Sequence, residues 1–464
     1  MFLIFVTGVT SIVYSWPVFL LIILTILAAV SAWLYLPVIL VFLPALLPFL
    51  PALNPTADID LAASRLIIVF LAVIGSLFII YKKKAWFSLT TPTLLILFFL
   101  AWSLFSVIMA EDAGRFIRKY LVFLTIFPLY FLLLAFIKKK EQWFKLFICW
   151  SWSAFLVSLL GLGQFLIQFM IGRETLVAYW GKFVAPILFG ANAGEAVASN
   201  PSWLVNISGA TVLRSFGPFP DPHMLAFFLG MSLPLQCVYV IQKKIKWLWH
   251  LPLLSFIVLL LTFSRGSYVG LAGAMIWTII YLIKQDRLAS KTIYRGILGI
   301  ILAVMLLFSI ASVRDRFISI FDTNEGSNIG RLEIWSEAIE VIKYNPLLGV
   351  GLGNYANFVR PEANYREPIY AHNTYLDLAS EIGIPGMLAW ILLLFWGIDP
   401  LWKNEKNLFN LAASLSIFWF FLHSLFETPV FSPQILPLIL VLLAFRAFTQ
   451  AAPKSHLPAG SHSS

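Results

Sequence analysis

The sequence predicts an all-α polytopic membrane protein with about 12 transmembrane helices (12–14) and a long outward-facing loop that contains short helices. Apolar residues make up 60% of the 464 residues and charged residues only 12%, with a mean hydropathy of +0.89. Soluble domains lie near half apolar and a quarter charged. The excess forms runs of roughly 17–25 residues, the length that an α-helix needs to cross a hydrocarbon core about 30 Å thick. Membrane insertion therefore follows from composition and spacing alone.

The apolar runs are separate and countable after about residue 53. Before it the chain is continuously apolar with prolines at 17, 37, 44, 48 and 51, so one to three spans fit there. Eleven further spans are predicted at about 62–80, 92–109, 118–137, 145–171, 224–242, 247–263, 267–283, 293–312, 386–402, 408–426 and 433–448.

These runs divide the chain into five parts. We expect N-terminal transmembrane helices and a first long outer loop (1–223), central transmembrane helices (224–312), a large outer loop (313–385), C-terminal transmembrane helices (386–450) and a disordered polar tail (451–464).

Lysine clusters set the predicted orientation. They lie near residues 82–84, 138–140, 243–246, 284–291 and 403–406, and an even number of spans separates each from the next. Because short cytoplasmic loops are enriched in Lys and Arg, these loops are expected in the cytoplasm, and the loops at about 172–223 and 313–385 outside. The net charge of +10 resides largely in these clusters, so topology explains it better than nucleic-acid binding. Cys149 and Cys237 lie inside apolar runs and suggest neither a disulfide nor a metal site.

The second outer loop is long enough to hold helices of its own. Residues 331–344 place apolar side chains on one face at helical spacing, and Asn345-Pro346 ends the run. The members of this face are Trp335, Ala338, Ile339 and Ile342. We expect this helix to lie on the membrane surface or to cap a cavity.

Arg265 is the first candidate for chemistry. It lies in a Thr-Phe-Ser-Arg-Gly turn at 262–266, about 17 residues or roughly 25 Å beyond Lys246, and so near the outer membrane boundary. A cation there is usually paired or lines a wet cavity. The alternative is a side chain that extends to the outer lipid headgroups.

His372 is the candidate proton acceptor. It precedes Asn373 at the start of an apparent helix, and histidine exchanges protons near neutral pH. The alternative is a hydrogen-bonded surface histidine.

Two further arginines lie in the outer loops. Arg331 is expected in the first turn of a helix, where a cation opposes the helix dipole, and its alternative role is a salt bridge with Glu333 or another nearby acid. Arg214 begins a stretch dense in turn formers, in which Asp221 and His223 are expected to fix a rigid loop.

Together these residues favour an outward site for a phosphorylated lipid carrier. The arginine fork suits phosphate, and a pyrophosphate leaving group requires charge stabilisation and a deprotonated acceptor. No cofactor or metal is expected. A competing metal site at Asp58 and Asp60 is a weak signal, because both residues also fit as caps of the next helix.

From about residue 210 to 430 the chain resembles the O-antigen ligase and polymerase superfamily of bacterial envelope glycan enzymes. The resemblance rests on the order of several short motifs among the spans. They are Arg214 to His223, the turn at 262–266, Gly330-Arg331 with Trp335, the segment Asn-Pro-Leu-Leu-Gly-Val-Gly-Leu-Gly-Asn at 345–354, and His372-Asn373 followed by Glu381 and Gly383. The glycines at 349–353 are expected to permit close packing or a sharp turn, without a chemical role.

The resemblance implies a GT-C-like membrane glycosyltransferase that uses no metal. It implies that Arg265 and Arg331 act on the donor pyrophosphate and that His372 is the catalytic histidine. Arg214, with Asn373 and Glu381 of the same motifs, is expected to bind substrate.

The predicted activity is inverting transfer of a glycan from undecaprenyl pyrophosphate to an acceptor hydroxyl. The enzyme is expected in the bacterial cytoplasmic (inner) membrane, in contact with membrane lipid, with its site facing the periplasm. An O-antigen ligase using a lipid A-core acceptor is favoured. The alternatives are a polymerase of lipid-linked repeats, a protein glycosyl ligase and, in another class, a solute transporter. Transport predicts ionisable groups near mid-membrane, whereas here polar residues crowd the outer edge.

Overall fold

Helices dominate the architecture, which we describe from a computed structural model. The structure describes residues 28–56, 59–83, 89–190, 201–207, 209–284, 326–361, 369–399 and 407–451. Its helices are α1 (Ala28–Phe49), α2 (Ala63–Tyr81), α3 (Thr91–Phe105), α4 (Ala113–Ile126), α5 (Pro128–Phe136), α6 (Lys140–Ile171), α7 (Arg173–Phe183), α8 (Ala185–Phe189), α9 (Pro222–Lys243), α10 (His250–Leu261), α11 (Arg265–Lys284), α12 (Gly326–Tyr344), α13 (Tyr355–Val359), α14 (Thr374–Ile398), α15 (Leu408–His423) and α16 (Leu436–Ala451).

Extended structure in the described residues is limited to two small hairpins. Strands β1 (Ala52–Thr56) and β2 (Ile59–Ala62) pair antiparallel with Leu53 opposite Leu61. Strands β3 (Leu204–Ile207) and β4 (Ala210–Leu213) pair with Leu204 opposite Leu213. Neither hairpin reaches the length of a membrane-crossing strand, so helices alone can account for the spans.

Eight helical segments in the described residues are long and apolar enough to cross a membrane. They are α1, α2, α3 with its 3-10 extension to Met109, α4 with α5, α6, α9, α11 and α14. Three shorter apolar helices, Lys246–Leu261, α15 and α16, match three of the other predicted spans. The prediction of an all-α polytopic membrane protein is confirmed. The predicted span at 293–312 and the tail after residue 451 lie outside the described residues.

Two helix starts bear on the sequence-based prediction. The helix that contains the span predicted at 386–402 begins at Thr374, next to the helix start that the sequence indicated beside His372, and the Asn373 side chain caps it by accepting hydrogen bonds from the backbone of Tyr375 and Leu376. It breaks at Gly383, where the backbone is non-helical. The helix expected from 331 begins at Gly326, so Arg331 lies in its second turn and not in its first.

Helix α9 lies at the centre of the bundle. It is buried along most of its length and packs on α6, α10, α11 and α15. Glycines permit the closest approach: a Cβ at Gly230 would lie 1.9 Å from the Trp419 ring, and one at Gly270 would lie 3.2 Å from the same ring. Trp419 of α15 therefore fits between α9 and α11, which fixes the relative positions of three helices that supply site residues.

Candidate functional site

Several chain segments meet at one end of this bundle. The starts of α9, α11 and α14 lie there, together with the ends of α10 and α15 and part of α12. The polar residues they supply are Arg214, His223, Ser264, Arg265, Arg331, His372, His423 and Glu427. Helices α9 and α11 start at the cluster and end at Lys243 and Lys284. The cluster therefore lies at the end of the bundle opposite these lysines.

The cluster centres on Glu427, which follows α15. Its Oε2 lies 3.0 Å from Nδ1 of His372, and its Oε1 lies 3.4 Å from both Nη2 of Arg331 and Nε2 of His223. The side chain is 9% exposed. Burial alone would raise the pKa of Glu427, but His223, His372 and Arg331 together lower it below its ordinary value. Glu427 is therefore held as a carboxylate.

His372 is oriented by this carboxylate. A carboxylate can only accept a hydrogen bond, so neutral His372 carries its proton on Nδ1 and keeps the lone pair on Nε2. The Glu427 charge raises the pKa of His372, although burial and Arg331 oppose this. The side chain remains 44% exposed, so Nε2 is accessible to a substrate. An imidazole with one nitrogen fixed by a carboxylate and the other open is arranged as a general base.

The two loops that carry this pair are tied together by Asp377. Its Oδ1 accepts a hydrogen bond from the backbone N–H of Ala371 at 2.7 Å, and its Oδ2 accepts one from the Thr428 hydroxyl. Thr374 adds two bonds: its N–H donates to the Ser424 carbonyl at 2.9 Å and its hydroxyl to the Glu427 carbonyl at 2.8 Å. These bonds hold the segment that carries His372 next to the segment that carries Glu427.

His372 has a backbone conformation that non-glycine residues rarely adopt. Its φ is +49°, in the left-handed region. Such strain persists only where surrounding contacts impose it, and it is concentrated at functional sites. The contacts of Ala371, Asn373 and Thr374 on either side supply that constraint.

Helix α12 brings Arg331 to the cluster. The Trp335 indole donates a hydrogen bond to the Ala371 carbonyl at 2.9 Å, next to His372. Ala338 and Val341 are buried on the inner face with Ile334 beside them, whereas Ile339, predicted to share that face, is 43% exposed. Arg331 bonds to Glu427 and not to Glu333, the nearby acid considered from the sequence.

Arg214 is held by a framework from α6. Gln168 exchanges two hydrogen bonds with the backbone of Leu213, and Gln164 accepts from the N–H of Phe216. The buried Arg214 guanidinium donates to the Thr262 carbonyl at 2.6 Å and to the Ser202 carbonyl at 2.7 Å. Arg214 therefore joins the first outer loop to the 262–266 turn at the edge of the cluster.

The 262–266 turn connects α10 to α11. Phe263 has a φ of +47°, and the Ser267 hydroxyl bonds back to the Ser264 carbonyl at 2.7 Å. A Cβ at Gly266 would lie 2.5 Å from the His423 ring, so the turn packs closely on the end of α15. Arg265 is 4% exposed, which disfavours a side chain that extends into the lipid headgroups.

The sequence-predicted site residues fall into two groups. Arg331 and His372 meet at Glu427, Arg214 joins them through His223 at 3.4 Å, and Arg265 follows Ser264 of the same cluster. Asn373 and Glu381 have structural contacts instead, and their substrate-binding roles stay predictions. Asn373 caps α14.

Glu381 is buried in an ion pair. Its Oε1 lies 2.6 Å from Nζ of Lys119, which also lies 3.7 Å from the centre of the Phe431 ring. Glu381 is 2% exposed. A buried cation paired with a carboxylate and covered by an aromatic ring is a usual means of fixing helices, which favours a structural role for Glu381.

Sequence reasoning missed Glu427, and underestimated His223. Glu427 is the single Asp, Glu, Lys or Arg in residues 407–445, an otherwise uncharged stretch. An isolated acid among apolar spans is a signal for function that could have identified it. His223 was expected to fix a loop, whereas its ring contacts Glu427, Ser264 and Arg214. Asp221 does fix the loop, since it caps α9 through the N–H groups of His223 and Met224.

The glycine-rich segment at 349–353 packs closely, as the sequence indicated. Gly349, Gly351 and Gly353 all have positive φ angles, and a Cβ on Gly351 would lie 2.6 Å from Ala110. Asn354 then accepts a hydrogen bond from the N–H of Asp112 at 2.7 Å. The segment fastens the large loop to the ends of α3 and α4.

Metal ligation finds no support in the part of the chain that the structure describes. No group of three or more His, Cys, Asp or Glu side chains there is arranged to hold an ion. Asp58 lies outside the described residues, as does the side chain of Asp60, so the competing site considered from the sequence is not tested.

Comparison with known proteins finds a matching family and two relatives. Residues 251–391, from α10 into α14, match the family described as O-antigen ligase. The resemblance to the O-antigen ligase superfamily is confirmed. The chain is 26% identical over 226 residues to an O-antigen ligase of Pseudomonas aeruginosa, an alignment that covers 48% of this chain and 52% of that protein.

A second relative is described as an oligosaccharyltransferase. The chain is 26% identical over 230 residues to a ComP-specific O-oligosaccharyltransferase of Acinetobacter baylyi, covering 47% of this chain and 41% of that protein. The matched region thus spans about half the length of the curated relatives or less. The family match at residues 251–391 includes Arg265, Arg331 and His372, whereas Glu427 lies beyond its end.

Proposed function

We propose that this protein is a membrane glycosyltransferase that moves a glycan from a polyprenyl pyrophosphate, in bacteria undecaprenyl pyrophosphate, to an acceptor hydroxyl. The observation that carries the proposal is the His372–Glu427 pair with Arg331, Arg214 and Arg265 around it. The match to O-antigen ligases supports the same reaction class. The lysine clusters at the opposite helix ends support a site on the outer face of the inner membrane.

The proposed step is a single inverting displacement. The acceptor oxygen forms a bond to the anomeric carbon of the donor, the bond from that carbon to the pyrophosphate oxygen breaks, and polyprenyl pyrophosphate leaves. Nε2 of His372 takes the hydroxyl proton. The arginines stabilise the negative charge that develops on the pyrophosphate. Fixed cations do this effectively where the site excludes much of the water. In this mechanism the chain's own residues supply both the base and the charge stabilisation.

Transfer by purified protein tests this mechanism. With a lipid-linked repeat and lipid A-core, we expect His372→Ala to lower the rate about 10²–10⁴-fold, the usual contribution of a general base. Arg331→Ala and Arg265→Ala should also lower it strongly, and Arg331→Lys should restore little because lysine lacks the fork. Lys343→Ala, at the exposed end of α12, is the matched control and should retain full activity. Full transfer by His372→Ala at normal insertion and thermal stability would refute the mechanism.

The same incubation separates the candidate acceptors. Glycan on lipid A-core identifies a ligase, the reading we favour, and longer lipid-linked chains identify a polymerase. ComP belongs in the comparison as a further acceptor, because one relative is described as ComP-specific. Movement of a labelled solute into proteoliposomes without glycan turnover would instead support a transporter.

A further inference from the structure

Lys119 in the second turn of α4 contacts both segments that carry the His372–Glu427 pair. Its Nζ lies 4.8 Å from the centre of the Tyr370 ring, and Tyr370 is two residues before His372 in the chain. The same Nζ lies 3.7 Å from the centre of the Phe431 ring, four residues after Glu427. One cation from the first half of the chain is therefore shared by the two segments that meet in the cluster.

The two rings also contact each other. Tyr370 and Phe431 stack with their centres 5.9 Å apart and their planes at 16°. Phe431 ends the short 3-10 helix Pro429–Phe431 and also stacks on Phe123 of α4, at 5.6 Å. A cation over an aromatic face is attracted by the electrons of the ring. The Lys119 ammonium and the Phe123 ring thus fasten the aromatic pair to α4.

Glu381 of α14 holds the Lys119 ammonium in this place. Its Oε1 lies 2.6 Å from Nζ, and the two side chains are 2% and 13% exposed. A Cβ at Gly353 would lie 3.4 Å from the Lys119 Cβ, so the glycine-rich segment at 349–353 packs against the same side chain. Opposite charges attract more strongly where water is excluded, and a buried ammonium without its carboxylate would be unfavourable. The ammonium is therefore fixed by α14.

This contact differs from the link that Asp377 makes. Asp377 joins Ala371 directly to Thr428 by hydrogen bonds, within the C-terminal half of the chain. Lys119 instead ties the two segments to α4, a helix outside the region that matches the family. A second and separate link restricts the rotation that a single link would allow. The relative orientation of the two segments thus depends on α4 as well as on Asp377.

We propose that Lys119 is a positioning residue for the His372–Glu427 pair. Through the two stacked rings it holds the segments that carry the pair, so that the carboxylate stays within hydrogen-bond distance of the imidazole. The significance of this role for transfer rests on the proposed function, whereas its effect on the imidazole is measurable without turnover.

Several charged or titratable groups face these side chains and bear on the measurement. The groups that face His372 are Glu427, Arg331 and Asp377. The groups that face Lys119 are Glu381, Tyr370 and Asp377. Removing the charges of Lys119 and Glu381 together takes away one charge of each sign, so their direct electrostatic effects on the imidazole largely cancel. A remaining change in the titration of His372 then reports a change in its contact with Glu427.

The experiment measures the titration of His372 in the purified protein. Diethyl pyrocarbonate modifies neutral imidazole, and peptide mass spectrometry separates the six histidines. Glu427 raises the pKa of His372, so a looser pair lets that pKa fall towards its ordinary value. We therefore expect the His372 midpoint to move to lower pH in Lys119→Met/Glu381→Gln. Glycan transfer by this variant should fall about 10–10²-fold, because a displaced base loses its alignment with the acceptor.

Phe431→Leu is a second variant, which removes the ring and leaves the Lys119–Glu381 pair in place. It should also move the midpoint to lower pH, by less than the double variant does. Arg118→Met is the matched control, because it removes an exposed cation next to Lys119 on α4 and should leave the midpoint unchanged. Thermal unfolding in detergent verifies that each variant is folded.

A midpoint that stays in place or rises in the folded double variant overturns the proposal. If the double variant does not fold, an unchanged or raised midpoint in folded Phe431→Leu overturns it instead. If the midpoint falls as expected but the wild-type protein transfers no glycan, the role of Lys119 stands and the proposed function fails.

Discussion

His372 and Glu427 determine the chemistry of the cluster at the scale of single residues. The carboxylate fixes the proton on one ring nitrogen and leaves the other open, while Arg331 touches the same carboxylate and limits its charge. A histidine alone in an exposed loop would have a pKa of about 6.5, and nothing would fix its tautomer. In the proposed mechanism this pairing orients His372 as the base, which makes Glu427 as important to the site as the histidine.

Replacing Glu427 should change the pH dependence of transfer in a known direction. Glu427 raises the pKa of His372, so the base form of the wild-type enzyme is reached only above 6.5, and the rate should rise with pH through that raised value. Glu427→Gln removes the charge while burial and Arg331 still favour the neutral ring. We expect the acid limb of the pH–rate profile to move to lower pH.

The measurement is transfer rate against pH under single-turnover conditions. The transfer rate on the high-pH plateau should also fall in Glu427→Gln, since the His372 tautomer is less strongly fixed. A limb that stays in place, or that moves to higher pH, is incompatible with Glu427 as the partner of His372.

These residues were unequally visible in the sequence. Four residues stood out because each is an ionisable side chain in a loop or turn close to a predicted span: Arg214, Arg265, Arg331 and His372. The pairing with Glu427 did not, since α14 and α15 lie between the two residues and no local spacing relates them. The ion pair that buries Glu381 with Lys119 likewise depends on tertiary packing, whereas Asn373 caps α14 through local hydrogen bonds.

At the scale of elements, the break in α14 is decisive for the position of His372. Gly383 has a φ of +78°, and a Cβ there would lie 1.9 Å from the Leu347 carbonyl oxygen. The N–H of Ile384 donates to the Pro346 carbonyl at 2.8 Å, and Trp102 donates to the Ile382 carbonyl at 3.0 Å. The break thus lets the outer part of α14 pack against the end of α12 and its following turn.

Gly383→Ala should therefore destabilise the protein. The backbone conformation is unfavourable for alanine, and the added methyl group would collide with main chain, so we expect a loss of about 1–3 kcal/mol or more. Gly163→Ala is the matched control: its Cβ would meet nothing within 4 Å on the helical backbone of α6. Thermal unfolding followed by intrinsic tryptophan fluorescence measures both. Equal melting temperatures for the two variants would contradict this account of the break.

Hydropathy located the elements better than it located their ends. Runs of apolar residues predict the transmembrane helices, because a chain that crosses lipid must form its backbone hydrogen bonds internally, as a helix does. The start of α14 at Thr374 and of α12 at Gly326 depends on a cap and on contacts with other segments, which hydropathy does not register. Gly383 and Pro385 are local signals for a break in α14, whereas the close contact of Gly383 with Leu347 depends on tertiary packing.

At the scale of the whole molecule, the site and the lysine clusters lie at opposite helix ends. Helix α9 starts beside the cluster at Pro222 and ends at Lys243, and α11 runs the same way from Arg265 to Lys284. If the lysines are cytoplasmic, the cluster faces outward. The helix order places the cluster opposite the lysines, and the proposed outward orientation rests on the charge pattern.

Labelling of single cysteines tests this sidedness. With Cys149 and Cys237 replaced by serine, a membrane-impermeant maleimide should modify Ser336→Cys in intact spheroplasts, because Ser336 is exposed on α12. Lys244→Cys, exposed at the other end of α9, should react only after permeabilisation. The reverse pattern would place the cluster in the cytoplasm and exclude the proposed lipid-linked donor on the outer face.

The separation of His372 from Glu427 along the chain has a consequence for biogenesis. Between them the polypeptide runs away from the cluster as α14 and returns as α15. The two halves of the acid–base pair thus reach each other only when the last of these crossings is complete. A partly inserted chain holds His372 without its partner, so under the proposed function an unfinished chain lacks an oriented base.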